Sequence, residues 1–159
     1  MRCLLAGRVY GWHTIPLSFK SSKMNHACGI TPENIDELLV GQIFVFGSNL
    51  AGSHSGGAAF TAYRKFGAVM GQFEGLQGIS YAFPTLDENL AKLAPDQLES
   101  SCEALYLCAT HNPELHFLIT KVGLGIAGYH LREIAPLFKP FLSKKNCSLP
   151  IEFINYLTK

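Results

Sequence analysis

The chain has 159 residues and a mass of 17.4 kDa; 48% of the residues are hydrophobic and 16% are charged. Globular proteins average roughly 25% charged residues, so this composition excludes disorder for most of the chain and fits a single globular domain. The net charge is +1 and no run of Lys and Arg occurs, so there is no strong signal for nucleic-acid binding.

Residues 1–23 contain only a short apolar stretch, which is too interrupted for a secretory signal. No apolar run approaches the roughly 20 residues of a membrane span. We therefore expect residues 1–23 to be a loosely attached extension and residues 24–159 to be one domain that does not engage a membrane. The five cysteines have neither disulfide-framework nor zinc-ligand spacing, which indicates reduced thiols in a cytoplasmic protein and no metal site.

The first predicted elements surround a loop of small residues. Thr31-Pro32-Glu33 is typical of a helix start, and Gly41 is a suitable stop for that helix. Residues 42–46 are continuously apolar apart from the first, which predicts a strand buried on both faces. Residues 47–57 are rich in Gly and Ser and predict a loop, and residues 57–66 have helical apolar spacing.

The second half of the chain continues the alternation of strands and helices. The predicted elements are a glycine-spaced loop over 71–78, a strand over 79–84, a helix over 95–109, a strand over 116–122, a glycine loop over 123–129, a helical stretch over 131–142 and a strand over 149–154. Such alternation predicts a mostly parallel or mixed sheet covered by helices on both faces. Ligands of these sheets bind beyond the carboxyl ends of the strands, where two of the glycine loops follow Phe46 and Val122.

These two loops have the composition of an anion site. Without bulky side chains, main-chain N–H groups can point at a ligand, and a following helix N-terminus adds partial positive charge. Ser53, not lysine, follows Gly52, so the first loop is not a Walker A motif and does not predict a nucleoside triphosphatase. Two neighbouring anion cradles without clustered cations predict a ligand with a diphosphate.

Two alternative interpretations stay open. Gly123, Gly125 and Gly128 form a Gly-x-Gly-x-x-Gly pattern, which predicts a nicotinamide-dependent oxidoreductase if Glu152 meets the adenine ribose. The pattern alone is weak evidence, and Glu152 is expected to begin a strand. The other alternative is a non-catalytic accessory domain in which the glycines only permit tight turns and the cleft is vestigial.

Several motifs, in the same order along residues 30–153, resemble a small bacterial and phage family that is macro-domain-like. They are Ile43-Phe44-Val45-Phe46-Gly47-Ser48-Asn49-Leu50-Ala51-Gly52, Gly56-Gly57-Ala58-Ala59, Phe66-Gly67-Ala68, Gly75-Leu76-Gln77-Gly78, Ser80-Tyr81-Ala82-Phe83-Pro84-Thr85 and Gly123-Leu124-Gly125-Ile126-Ala127-Gly128. Macro domains are three-layer α/β/α sandwiches that bind ADP-ribose, and some remove it from proteins or nucleic acids. The resemblance thus implies ADP-ribose or a similar nucleotide as ligand, ADP-ribosylated macromolecules as partners and no cofactor.

The resemblance also implies which residues contact the ligand. In the first loop these are Gly47, Ser48, Asn49, Gly56, Gly57 and Ala58. In the loop after Val122 they are Gly123, Leu124, Gly125, Ile126, Ala127, Gly128 and Tyr129, with Tyr129 stacking near the distal ribose.

Three residues are candidates for hydrolysis of an ADP-ribosyl linkage. Asn49 would orient a ribose hydroxyl or a water, although Asn at this position equally suits a turn that closes the loop. His54 or Glu74 would act as the general base. For His54 we favour the simpler interpretation of a solvent-exposed loop residue.

Overall fold

The computed structural model of the chain describes residues 28–159, which form a mixed α/β fold. The strands are β1 (Gly29–Ile30), β2 (Gln42–Asn49), β3 (Gly75–Gln77), β4 (Ser80–Leu86), β5 (His116–Ile119) and β6 (Cys147–Leu149). The α-helices are α1 (Gly57–Lys65), α2 (Pro95–His111), α3 (Leu131–Ile134) and α4 (Ile151–Leu157), and a 3-10 helix covers Ala135–Ser143.

All six strands belong to one mixed sheet in the order β1-β6-β5-β2-β4-β3. Neighbouring strands are parallel except at one edge, where β3 runs antiparallel to β4. The prediction of an α/β domain with a mostly parallel or mixed sheet is confirmed. Because β5, β2 and β4 are adjacent and parallel, the loops that follow them emerge at the same edge of the sheet.

Alternation along β2 divides the core between the two faces of the sheet. Phe44 and Phe46 pack with Ala59 and Ala62 of α1 on one face. Ile43 and Val45, which alternate with these phenylalanines along β2, belong to a larger apolar cluster on the opposite face. The remaining helices contribute to that cluster. Helices therefore cover both faces, as a continuously apolar central strand requires.

The prediction of a helix beginning at Thr31 is wrong. The Thr31 N–H donates to the Leu149 carbonyl at 2.9 Å and so continues the β1–β6 pairing, and no helix forms between it and Gly41. Ile35 and Leu38 still pack against the smaller core cluster. These two apolar side chains belong to an irregular segment that covers the sheet. Apolar periodicity alone does not distinguish such a segment from a helix.

The C-terminal elements also differ from the prediction. The predicted strand over 149–154 is instead the end of β6 followed by α4, with Phe153 and Ile154 buried in the core. Pro150 between them cannot donate a strand hydrogen bond but is tolerated at a helix start. Similarly, the helical stretch over 131–142 tightens to a 3-10 helix with Pro140 inside it.

Three further predictions concern membrane spans, the cysteines and residues 1–23. None of the helices in residues 28–159 is both long and apolar enough to cross a membrane. The cysteines in that range are buried. The predicted extension over residues 1–23 lies outside the described residues and stays a prediction.

His116, the first residue of β5, is expected to make the stability depend on pH through its contact with β6. His116 Nε2 lies 2.7 Å from Ser148 Oγ, and burial lowers the His116 pKa from its ordinary value. Folding thus favours the neutral ring, so its contribution is complete above the unfolded pKa of about 6.5 and declines as pH falls below that value. We expect the urea concentration at the unfolding midpoint to fall when the pH is lowered from about 7.5 to about 5.5. The fall should be smaller in the His116→Gln variant. Equal decreases in both proteins would show that His116 is not the source.

Candidate functional site

The glycine loops after β2 and β5 meet at the carboxyl edge of the sheet. The strand β2 continues through Gly47, Ser48 and Asn49, which were predicted to begin the loop, and a Cβ atom built on Gly47 would lie 3.8 Å from the Gly123 main-chain nitrogen. Further out, Cβ atoms built on Gly56 and Gly57 would lie 3.2 and 3.3 Å from Cδ1 of Ile126. The structure therefore brings together the two loops that were predicted from the sequence to bind a diphosphate.

The start of α1 presents main-chain donors at this junction. Gly56 is the N-cap residue and supplies no side-chain cap. The first N–H groups of a helix have no partner within it, and those of Gly57 and Ala58 donate to no main-chain acceptor among residues 28–159, which leaves them available to an anion. Helix α1 has 9 residues, long enough for its dipole to contribute at that end.

The loop after β5 divides its main-chain donors into two sets. The N–H groups of Leu124, Gly128 and Tyr129 donate within the loop. Those of Gly125, Ile126 and Ala127 donate to no acceptor among residues 28–159. The side chains of Leu124 and Ala127 pack against the core, whereas Ile126 is 75% exposed and reaches α1. Main-chain donors that lack an acceptor in the described part of the chain thus lie on both sides of the junction.

Tyr129 closes this loop as a packing residue. It is buried, and its hydroxyl donates to the Thr85 carbonyl at 2.9 Å. Burial is the main cause of its raised pKa. The ring and hydroxyl are thus engaged with the protein, and the predicted stacking against a ribose would need the ring to become accessible.

One lysine near the junction was missed by the sequence reasoning. Lys92 Nζ lies 4.7 Å from the Tyr129 ring centroid and 3.5 Å from a Glu133 carboxylate oxygen. It is half exposed and brings a cation beside the loop after β5. Its position depends on the irregular turn after β4, which no local pattern predicts.

Lys121, the other cation near this loop, is engaged elsewhere. Its Nζ lies 2.7 Å from carboxylate oxygens of both Glu33 and Glu152. The hydrogen bond to Glu152 is the largest cause of its raised pKa. Lys121 therefore joins the irregular segment after β1 to the start of α4.

Asn49 closes the first loop. Its Nδ2 donates to the Ser53 carbonyl at 2.9 Å, and its Oδ1 accepts from the Ser53 N–H at 3.0 Å. The neighbouring Ser48 hydroxyl donates to the Phe73 carbonyl and so ties β2 to the following loop. Both polar side chains fix loop shape, which is the turn-closing alternative considered for Asn49.

The expectation that His54 is solvent-exposed is wrong. Its side chain is completely buried, with the ring edge-on to Phe46 and the centroids 5.1 Å apart. His54 Nε2 lies 3.1 Å from the Gln72 carbonyl oxygen and donates to it, which leaves Nδ1 without a partner in the described chain. The cause is tertiary: the loop after α1 folds over the first loop, and the Gly71 N–H donates to the Gly52 carbonyl.

Glu74 lies apart from the glycine junction. It lines a groove of about 720 Å³ beside Phe73 and Ala104, and a smaller one of about 270 Å³ that shares these residues. Neither groove is lined by the loop after β5. The three predicted catalytic residues therefore have three different surroundings, and their joint role in hydrolysis stays a prediction.

The geometry gives little support to a nicotinamide site. The Gly-x-Gly-x-x-Gly loop leads into α3, which has only 4 residues. Glu152, the acid required at the adenine ribose, lies in the first turn of α4 and is paired with Lys121. Within residues 28–159, no group of three or more His, Cys, Asp and Glu side chains is placed to hold a metal ion.

Comparison of the chain with models of protein families, with curated proteins and with solved structures found no match. The site is therefore interpreted from its own geometry and from the sequence motifs.

Proposed function

We propose that this chain binds ADP-ribose, or a closely related nucleotide diphosphate sugar, across the β2 and β5 junctions of a macro-domain-like α/β/α fold. The observation that carries the proposal is the set of free main-chain donors at the two loops. Gly57 and Ala58 offer N–H groups from the start of α1, and Gly125, Ile126 and Ala127 offer them from the facing loop. A pyrophosphate has acceptor oxygens for both sets.

The electrostatics of the junction agree with an anionic ligand of modest charge. The dipole of α1 supplies positive potential, whereas Lys92 is paired with Glu133; charge-assisted bonds from N–H groups contribute about 1.5–3 kcal/mol each. Three or four such bonds would support micromolar affinity after the costs of association. ADP-ribosylated macromolecules are the corresponding partners.

We restrict the proposal to binding. The amide of Asn49 holds Ser53 and the His54 ring is buried, so neither is set to activate a water without rearrangement. Hydrolysis of an ADP-ribosyl linkage is a separate prediction that a turnover assay would decide.

Thermal melts of the chain with ADP-ribose, NAD, ATP and no nucleotide test the proposal. At 100 times the Kd, ADP-ribose should add about 2.7 kcal/mol to the free energy of unfolding, which raises Tm by about 5 °C or more. The Gly125→Val variant should lose this shift. A Cβ at Gly125 meets nothing within 4 Å and the residue has no positive φ, so the variant should fold.

Each outcome separates the interpretations. A larger shift with NAD would favour the oxidoreductase, and no shift with any nucleotide would favour an accessory domain. If Gly125→Val keeps the ADP-ribose shift, the loop after β5 does not hold the diphosphate.

A further inference from the structure

A second surface, separate from the glycine junction, lies between α2 and the loop that precedes β3. It consists of the two adjoining grooves of about 720 and 270 Å³ that share Phe73, Glu74 and Ala104. Hydrogen bonds from Ser48 and His54 to main-chain carbonyls hold the loop side of this groove in place. The α2–β3 groove is therefore part of the folded framework.

The walls of the α2–β3 groove combine apolar and polar side chains. Met70 and Phe73 are 45% and 41% exposed on the loop side, and Tyr81 and Ala104 contribute to the floor and the helix side. Leu50, Pro84 and Leu93 extend the apolar lining towards the start of α2. Met70 and Phe73 are therefore the exposed apolar side chains of the groove, whereas Tyr81, Pro84 and Leu93 are buried against it.

The charges around the groove have a single sign. Glu74 and Asp96 line it, and the lining contains no Lys or Arg. Glu99 and Glu103 lie three and seven residues beyond Asp96, so they share its face of α2, and α2 has no Lys or Arg in its 17 residues. Among the described residues, none of these four carboxylates takes part in an ion pair.

We propose that the α2–β3 groove binds a basic peptide segment of another protein. Lys and Arg combine an aliphatic stem, which can pack on Met70 and Phe73, with a cationic head that would reach Glu74 and Asp96. The same acids repel nucleic acid and anionic headgroups, so charge complementarity selects a basic partner. The proposal does not depend on nucleotide binding, since neither groove includes the loop after β5.

Fluorescence anisotropy with the full chain tests this directly. The probes are a labelled peptide of alternating Arg and Leu, its counterpart of alternating Glu and Leu, and spermine as a small competitor. The basic peptide should bind and should weaken severalfold at high salt, because exposed charges are screened. The acidic peptide should not bind. Failure of the basic peptide to bind, or displacement by spermine at the same concentration as by unlabelled peptide, would overturn the proposal.

Two variants locate the binding. The double substitution Glu74→Gln with Asp96→Asn should raise the Kd about tenfold, whereas Glu37→Gln with Glu114→Gln, two exposed acids away from the groove, should change it less than twofold. Ala104→Phe should also weaken binding at least tenfold, because it fills the wall that both grooves share without changing charge.

Two results would contradict this assignment. If Ala104→Phe folds with an unchanged Tm and binds as well as the parent, the peptide contacts only the acidic surface. If sedimentation shows self-association that the groove variants abolish, a second copy of the chain is the occupant.

Discussion

The Gly56→Asp variant is expected to bind ADP-ribose about 100-fold more weakly than the parent while its apo form is slightly more stable. Gly56 is the N-cap of α1 with extended dihedral angles, which Asp adopts readily, and it has no capping side chain of its own. An Asp there accepts hydrogen bonds from the first helical N–H groups and complements the dipole, for a gain of a few tenths to about 1 kcal/mol. The new Cβ meets only the flexible end of Ile126.

The loss of binding has two causes that a matched variant separates. The Asp carboxylate occupies the donors that a phosphate would use, and it places a negative charge beside the negative ligand. Gly56→Asn also caps the helix but adds no charge, so it should weaken binding less than tenfold. Isothermal titration of the three proteins measures the affinities and urea unfolding measures the stabilities. Equal affinity of parent and Gly56→Asp would remove the α1 N-terminus from the site.

The Phe138→Ala variant should lose about 3–5 kcal/mol of unfolding free energy. Phe138 is completely buried in the 3-10 helix, with its ring centroid 5.5 Å from those of Phe83 and Phe141 and 5.3 Å from that of Phe153. It therefore joins β4, the 3-10 helix and α4. Truncation removes apolar area and leaves a cavity that three surrounding elements cannot all move to fill.

Phe60→Ala is the matched control for this substitution. Phe60 lies on α1 and is 47% exposed, so the same truncation should change the unfolding free energy by less than about 1 kcal/mol. Urea unfolding followed by circular dichroism measures both variants. If Phe138→Ala costs no more than Phe60→Ala, the packing of α4 and the 3-10 helix against the sheet is not as described.

The parts of the fold that were predicted correctly are those in which local chemistry and tertiary packing agree. The continuous apolar run of β2 needs two covered faces wherever it lies in the sheet. Small residues at Ala59 and Ala62, followed by Gly67, mark α1 by both spacing and termination. The adjacency of the two glycine loops follows from parallel pairing of β2 with β5, which strand–helix alternation anticipates.

The incorrect predictions share a different cause. Thr31-Pro32-Glu33 has ideal helix-start chemistry, but pairing of β1 with β6 takes the Thr31 donor. The aromatic and β-branched residues after Pro150 suggest a strand locally, yet they fill the core as a helix. The conformation of both segments depends on residues that are distant in sequence. A local sequence pattern therefore cannot predict it.

The site shows the same division. Its glycines could be identified because unhindered main-chain donors leave a compositional trace. The burial of His54 beneath the loop after α1 has no recognisable pattern in the sequence. The approach of Lys92 to Tyr129 has none either. The α2–β3 groove has one partial signal in the sequence: α2 contains three acidic residues and no Lys or Arg. That signal becomes informative only when the structure shows Glu74 lining the same groove as Asp96.

Amide proton–nitrogen NMR spectra recorded during an ADP-ribose titration test the central claim most directly, because they report on the main-chain donors themselves. Enclosure of a pyrophosphate predicts the largest downfield shifts at Gly57, Ala58, Gly125, Ile126 and Ala127, since phosphate oxygens replace water as acceptors. Free pyrophosphate should move the same amides at higher concentration. Saturable binding that leaves these five amides unmoved, or that shifts only one of the two loops, would contradict the account.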